Sequence, residues 1–314
     1  MTPYDLSLAR RRAYHLFGRL FLEGITADLL PYSVAVPELG ELARTIDPDQ
    51  AAADHYHLTA VSVFPYESIF LDPSGLLGGA ISDRLLTIYE QNGHETLSDA
   101  DHIGHELLFM SQLCAAEAQA WQQGNGDAAT LWQSRQQTFL TTHLLSWLAP
   151  LVAAIGQSAS LFYGRLANLT LDLTADHLGE GPAGSLEITL PTPPALAADD
   201  SGLKDIARYL VTPPYSGLFL SRDAISALAR RHDLPRGFGD RAQMLANLLR
   251  TAGQYDQASD VFLDLAAVSA KCRKQYEEQQ TRYPEIAPWI RPWQEHVSQT
   301  AVALEELSDT VAQA

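Results

Sequence analysis

Cysteine is almost missing from this 314-residue chain: Cys114 and Cys272 are the two present, far apart and in no Cys-x-x-Cys pair. That excludes a disulfide framework and a protein-held iron–sulfur cluster, and it fits a reducing cytoplasm. Basic residues are also scarce, 21 Lys plus Arg against 38 Asp plus Glu, a net charge of −17 with His neutral. Such a chain repels a phosphate backbone, so nucleic acid is not an expected partner, whereas a cationic peptide is attracted. Long apolar runs are lacking too. The longest, Leu144 to Gly156, contains Ser146 and Pro150 and falls short of the roughly 20 residues of a spanning helix, so no stable membrane insertion is expected. Arg10, Arg11 and Arg12 look like an export signal, but Arg19 and Glu23 interrupt the apolar stretch that such a signal needs. No phosphate loop and no Gly-x-Ser-x-Gly elbow occur. The letters Gly179-x-Gly181-x-x-Gly184 carry Pro182 and precede no helix, the wrong context for a dinucleotide fingerprint.

What is present is an ordinary globular composition, 46% hydrophobic and 19% charged, long enough for about two domains. Apolar residues recur at three and four, and alternating runs are nearly absent, which predicts an all-α protein. Helix signals cover 3–24, 36–46, 50–64, 77–92, 99–123, 126–149 and 151–175, a helical bundle domain over 1–178. Residues 179–201 are rich in Pro and Gly and read as a linker, with Leu186 to Leu190 the one short strand candidate. Residues 202–314 form a helical C-terminal extension, with helices near 202–211, 221–232, 239–252, 255–282 and 285–311. The last two carry apolar faces (Val261, Leu265, Val268, Cys272, Tyr276; Trp289, Trp293, Val297, Leu304, Val311) suited to an antiparallel hairpin. One internal echo pairs Pro65-Tyr66 and Ile69-Phe70-Leu71 with Pro214-Tyr215 and Leu218-Phe219-Leu220.

Two stretches carry chemistry. In Leu97 to Glu117, Ser98 or Asp99 is suited to cap a helix, Asp101 suits its positive end, and His102, His105 and Glu106 share a face beside the stripe Ile103, Leu107, Met110 and Cys114. In Phe64 to Asp72, Pro65 ends a helix and leaves exposed aromatics beside Ser68 and Phe70, one wall of a peptide groove. Carboxylates Glu67, Asp101 and Glu106 with Tyr66 and Phe70 are the groups that a peptide bearing arginines and an apolar segment requires. Two alternatives stand beside this one. His102, His105, His232 and Asp233 imitate the ligand set of a helical metal-dependent phosphohydrolase, and the long C-terminal helices suit a dimerising scaffold.

Taken in order, the Pro-aromatic-x-Ser-x-aromatic-Leu loop (Pro65, Tyr66, Ser68, Phe70, Leu71) and the Asp-His-Ile-Gly helix start (Asp101 to Gly104) resemble the TorD/DmsD/NarJ family. The resemblance extends through Phe139 to Trp147, Pro150 and Phe162-Tyr163, covering roughly residues 5–175. It implies a cytoplasmic, non-enzymatic chaperone without a cofactor of its own. Such a chaperone binds the twin-arginine signal peptide or N-terminal region of a molybdopterin-dependent oxidoreductase subunit and assists cofactor insertion before export or assembly. It also implies that Asp101, His102, Pro65, Tyr66 and Ser68 take part in client recognition. The family often has Glu and Pro ahead of the Asp-His pair, where this chain has Ser98, Asp99 and Ala100.

Overall fold

The computed structural model describes residues 1–95, 99–179, 188–196 and 202–313. Helices are the regular structure among them; no strand is present, and one antiparallel bridge joins Tyr66 to His102. The all-α expectation is met. Leu186 of the strand candidate lies outside the described residues, as do 180–185, and Ile188 to Leu190 are irregular.

The chain forms two units. The first comprises Met1–Ile69, Leu76–Leu148 and Ile155–Leu186. It contains α1 (Pro3–Glu23), α2 (Leu30–Ala35), α3 (Pro37–Thr45), α4 (Pro48–Tyr56), α6 (Ala80–Gln91), α7 (Ile103–Gln122), α8 (Gly126–Phe139) and α10 (Leu161–Gly179). Two widened π-type turns, His57–Ser62 and Leu140–Leu144, continue α4 and α8. The short helix α5 (Glu67–Leu71) starts in this unit, and α9 (Leu145–Ile155) follows the second π turn.

The helix starts follow from local chemistry. Thr2 and Asp5 form a capping box ahead of Pro3 on α1, and Asp47 and Asn125 accept from backbone N–H groups at the starts of α4 and α8. Helices α1 and α7 approach closely because glycines face each other. A Cβ on Gly104 would stand 2.4 Å from Leu22 Cγ and 2.8 Å from the Gly18 carbonyl oxygen. Around this seam Tyr14, Phe17, Phe21, Leu107 and Met110 are buried, each apolar side chain contributing about 1.5–3 kcal/mol.

One expected helix boundary fails here. Pro150 does not end a helix: α9 runs through it to Ile155, and the break comes at Gly156 to Ser160. A further consequence concerns length. The continuous run Gly126–Ile155 is long and apolar enough by composition to cross a membrane, longer than the stretch judged from the sequence, but 89% of its apolar window is buried inside the protein. A core helix has this property.

The second unit comprises Phe70–Gly75, Ala149–Ala154 and Glu187–Ala314, so two stretches from within the first 178 residues belong with it. It contains α11 (Leu203–Val211), α12 (Pro213–Ser216), α13 (Arg222–Arg231), α14 (Arg241–Gln254), α15 (Ala258–Arg282) and α16 (Ala287–Ala312). Helices α15 and α16 are antiparallel, since Ser259 bonds Ser308 at 2.8 Å and Gln280 bonds Gln294 at 2.5 Å. Val261, Leu265, Cys272, Tyr276, Trp289, Trp293, Val297 and Leu304 are buried as expected, whereas Val311 is 40% exposed. Gly217 (φ 73°) packs against the backbone of α16, where a Cβ would stand 2.3 Å from the Val297 nitrogen. The echoed segments meet in this unit: Phe70 stacks on Phe219 with ring centroids 5.2 Å apart, and the Arg241 guanidinium lies 4.1 Å over the Phe219 ring.

Candidate functional site

A short suture brings the two chemistry-bearing stretches together. Glu67 N–H donates to the Asp101 carbonyl at 2.8 Å, and Ile103 N–H donates to the Pro65 carbonyl at 2.9 Å. Tyr66 and His102 therefore sit side by side, their rings edge to face at 4.9 Å. The Asp101 carboxylate reinforces the pairing by accepting from the Ser68 backbone N–H at 3.2 Å, while Ser68 Oγ accepts from Gly78 N–H at 2.9 Å. Phe64, just before Pro65, takes a left-handed backbone with φ of 56°. Such a conformation costs a bulky residue on the order of 1–3 kcal/mol and persists only where its surroundings hold it.

The cap of α7 differs from the expectation. Ser98 lies outside the described residues and Asp99 does not cap; His102 is the cap, its Nδ1 accepting from Gly104 N–H at 3.0 Å. Accepting requires a neutral ring. Burial, with His105 and His55 nearby, lowers the His102 pKa to about 3, so the ring remains an acceptor across the physiological range.

The three nominated carboxylates are interior. Glu67 is 2% exposed, and Asp101 and Glu106 are 0% exposed. His143, on the second π turn, bonds Glu67 through Nδ1 at 3.1 Å, and Trp147 Nε1 donates to Glu106 at 3.4 Å. Burial pushes the Glu106 carboxyl well above the usual range, the charges of Glu67 and Asp101 act in the same direction, and a hydrogen bond to Glu67 favours its protonated form. Glu106 is thus biased towards its protonated form by its surroundings. Asp101 Oδ1 has no hydrogen-bond partner among the described residues. The face expected to display Glu67, Asp101 and Glu106 is therefore turned inward, where it anchors the loop. Pro65 and Ser68 are buried with it, and Phe70, expected to be exposed, is 0% exposed and belongs to the second unit.

Two of the nominated residues line an open cavity of about 410 Å³ in the first unit, Tyr66 and His102. Its other walls come from Phe21 and Leu22 of α1, His55, Thr59 and Ala60 on α4 and the first π turn, Phe64, Leu77 and Asp99. Asp99, two residues before the nominated acid, is the exposed carboxylate of this cavity, and it too has a left-handed backbone, with φ of 54°. Burial raises the Tyr66 pKa, with the charges of Asp99 and Asp101 adding to the effect. The sequence suggested Asp99 as a cap and Phe64 as part of the groove stretch, but gave no sign of Phe21, His55 and Leu77. The Asp99-to-Tyr66 spacing across the suture was the missing information. The cavity thus offers aromatic and aliphatic walls, hydrogen-bonding groups of Tyr66 and the imidazoles, and one negative charge.

The metal-ligand alternative finds no support. Among the described residues no group of three or more His, Cys, Asp or Glu is placed to hold a metal ion. His102 and His105 have ring centroids 6.3 Å apart, and His232 Nε2 is bonded to Asp264 at 2.8 Å. Asp233 follows α13 with φ of 54°, a helix-end conformation.

Comparison with protein-family models matches residues 27–153 to the family described as nitrate reductase delta subunit. The match spans the loop, the suture, α7 and His143. Neither curated proteins nor solved structures give a significant match.

Proposed function

We propose, from the premise that the chain belongs through residues 27–153 to the nitrate reductase delta subunit family of molybdoenzyme maturation chaperones, that it is a chaperone for one molybdopterin-dependent oxidoreductase subunit. In this reading it works in the cytoplasm, binds the N-terminal region or twin-arginine signal peptide of that subunit, and assists cofactor insertion before export or assembly. The observation that supports it best is the cavity in which Tyr66 and His102 stand beside Phe21, Phe64 and Asp99. An extended peptide places apolar side chains on the aromatic walls and an arginine on the Asp99 carboxylate.

The energetics suit a transient complex. Charge-assisted hydrogen bonds contribute about 1.5–3 kcal/mol each, and a few of them with apolar burial give roughly micromolar binding, about −8 kcal/mol. Release then remains fast. The buried Glu67, Asp101 and Glu106 act behind the cavity, holding Tyr66 and His102 in register, rather than as its lining.

Calorimetric titration with the N-terminal peptide of the neighbour-encoded molybdoenzyme tests the reading. Saturable heat and co-purification with the client are expected; no heat together with no co-purification overturns it. Light scattering decides whether the chain also forms a homodimer.

A further inference from the structure

A second cavity of about 340 Å³ opens in the first unit, and none of the residues of the loop or the Asp-His pair lines it. Its volume lies in the range of small-molecule sites. Ile88 of α6, Phe109 and Leu113 of α7, and Phe139 of α8 form an apolar wall, beside which stand the Arg135 guanidinium and the His143 imidazole. In a chain with 38 Asp plus Glu, no carboxylate is among the residues that line this cavity.

Both side chains are held in place. The Arg135 guanidinium lies 4.6 Å over the Trp132 ring and donates from Nη1 to Asn92 Oδ1 at 2.9 Å, which orients its remaining donors. His143 is stacked on Phe139 at 5.0 Å and bonded through Nδ1 to the buried Glu67 carboxylate, so Nε2 is the ring nitrogen left for the cavity. The segment that carries His143, Leu140–Leu144, is a π turn. Inserted turns of this kind recur at functional sites because they reorient a side chain at the cost of the regular ladder. The other π turn among the described residues, His57–Ser62, contributes Thr59 and Ala60 to the first cavity.

We infer that this second cavity binds a small organic anion: an aromatic or branched apolar body against Phe109 and Phe139, with its carboxylate or phosphate on the Arg135 guanidinium. The two cavities share no lining residue. Two features set the selectivity of the second, a planar guanidinium suited to two-point contact with an oxyanion and an apolar wall that rejects a bare inorganic ion.

The probe is 3-phenylpropionate, with the neutral 3-phenylpropan-1-ol as its control, both followed by ligand-observed NMR and calorimetry on the full chain. The carboxylate is expected to bind about tenfold more tightly than the alcohol, the effect of one charge-assisted hydrogen bond. Arg135→Gln, at an exposed position, should abolish most of that preference with an unchanged melting temperature. Thr138→Trp, exposed on the same rim, should block both probes. His143 is a poor test position because its loss strands Glu67. Equal binding of the two probes would make this an apolar docking groove and overturn the inference. Binding indifferent to Arg135→Gln and Thr138→Trp, or no binding at millimolar probe, overturns it as well.

Discussion

Replacing Glu106 by glutamine probes the buried carboxylate cluster directly. An unfolded glutamate titrates near about 4.3, whereas in the folded protein burial and the neighbouring Glu67 and Asp101 keep the Glu106 proton bound to well above the usual range. Between those two points the folded state holds one proton more than the unfolded state. Stability from this group is therefore fully present below the unfolded value and is lost as pH rises towards the folded one, by up to about 1.4 kcal/mol per pH unit. Glutamine imitates the protonated form: its amide donates to Glu67 and its oxygen accepts from Trp147 Nε1, the partner that now bonds Glu106 at 3.4 Å. The variant has no such proton to lose. Its advantage over the natural chain should widen as pH rises from 5.5 to 7.5, with a slope of at most about 1.4 kcal/mol per pH unit. For a unit of this size each 1 kcal/mol of the gap is roughly 2–4 °C in melting temperature. Urea and thermal melts of both proteins at three pH values measure the gap, in which all other titrations cancel. A gap that does not change with pH, or a variant less stable at pH 7.5, would mean that Glu106 is ionised in the folded state and that the assignment is wrong.

Three further outcomes follow from the same geometry. Gly104→Ala forces a Cβ to within 2.4 Å of Leu22 Cγ and 2.8 Å of the Gly18 carbonyl; overpacking of the α1–α7 seam should cost about 1–3 kcal/mol, read as a lower urea midpoint with an unchanged slope. Asp101→Ala strands the buried Ser68 N–H now bonded at 3.2 Å and should cost about 1–3 kcal/mol. Asp101→Asn keeps an acceptor there and should cost much less, so equal losses in the two variants would refute the tether. Asp99→Asn removes the exposed carboxylate of the first cavity and should weaken an arginine-bearing peptide by about two- to fivefold in calorimetry at low salt, with little change in melting temperature. If Asp99→Asn leaves the affinity intact, the arginine contact lies elsewhere.

The helical class, the positions of most helices and the pairing of α15 with α16 were legible in the sequence because apolar spacing reports which side of a helix is buried. The juxtaposition of Pro65–Ser68 with Asp101–His102 was legible only as a motif, through family resemblance. The role of the acidic residues was not. Periodicity places Glu106 beside the buried stripe but cannot say whether a carboxyl there meets water or a second carboxyl. That outcome depends on partners 33 to 76 positions away, Asp101 for Ser68, Trp147 for Glu106 and His143 for Glu67. Pro150 misled for a related reason. A proline discourages the helix locally, yet α9 continues through it between buried neighbours on both sides, as tertiary packing overrides propensity. The amino-acid order by itself determined a helical protein with a negative surplus and two recognisable motifs. Tertiary packing alone decided that Asp99 lines the first cavity while Asp101 and Glu106 are sealed behind it, because burial and proton affinity are properties of the assembled neighbourhood and not of the local chain.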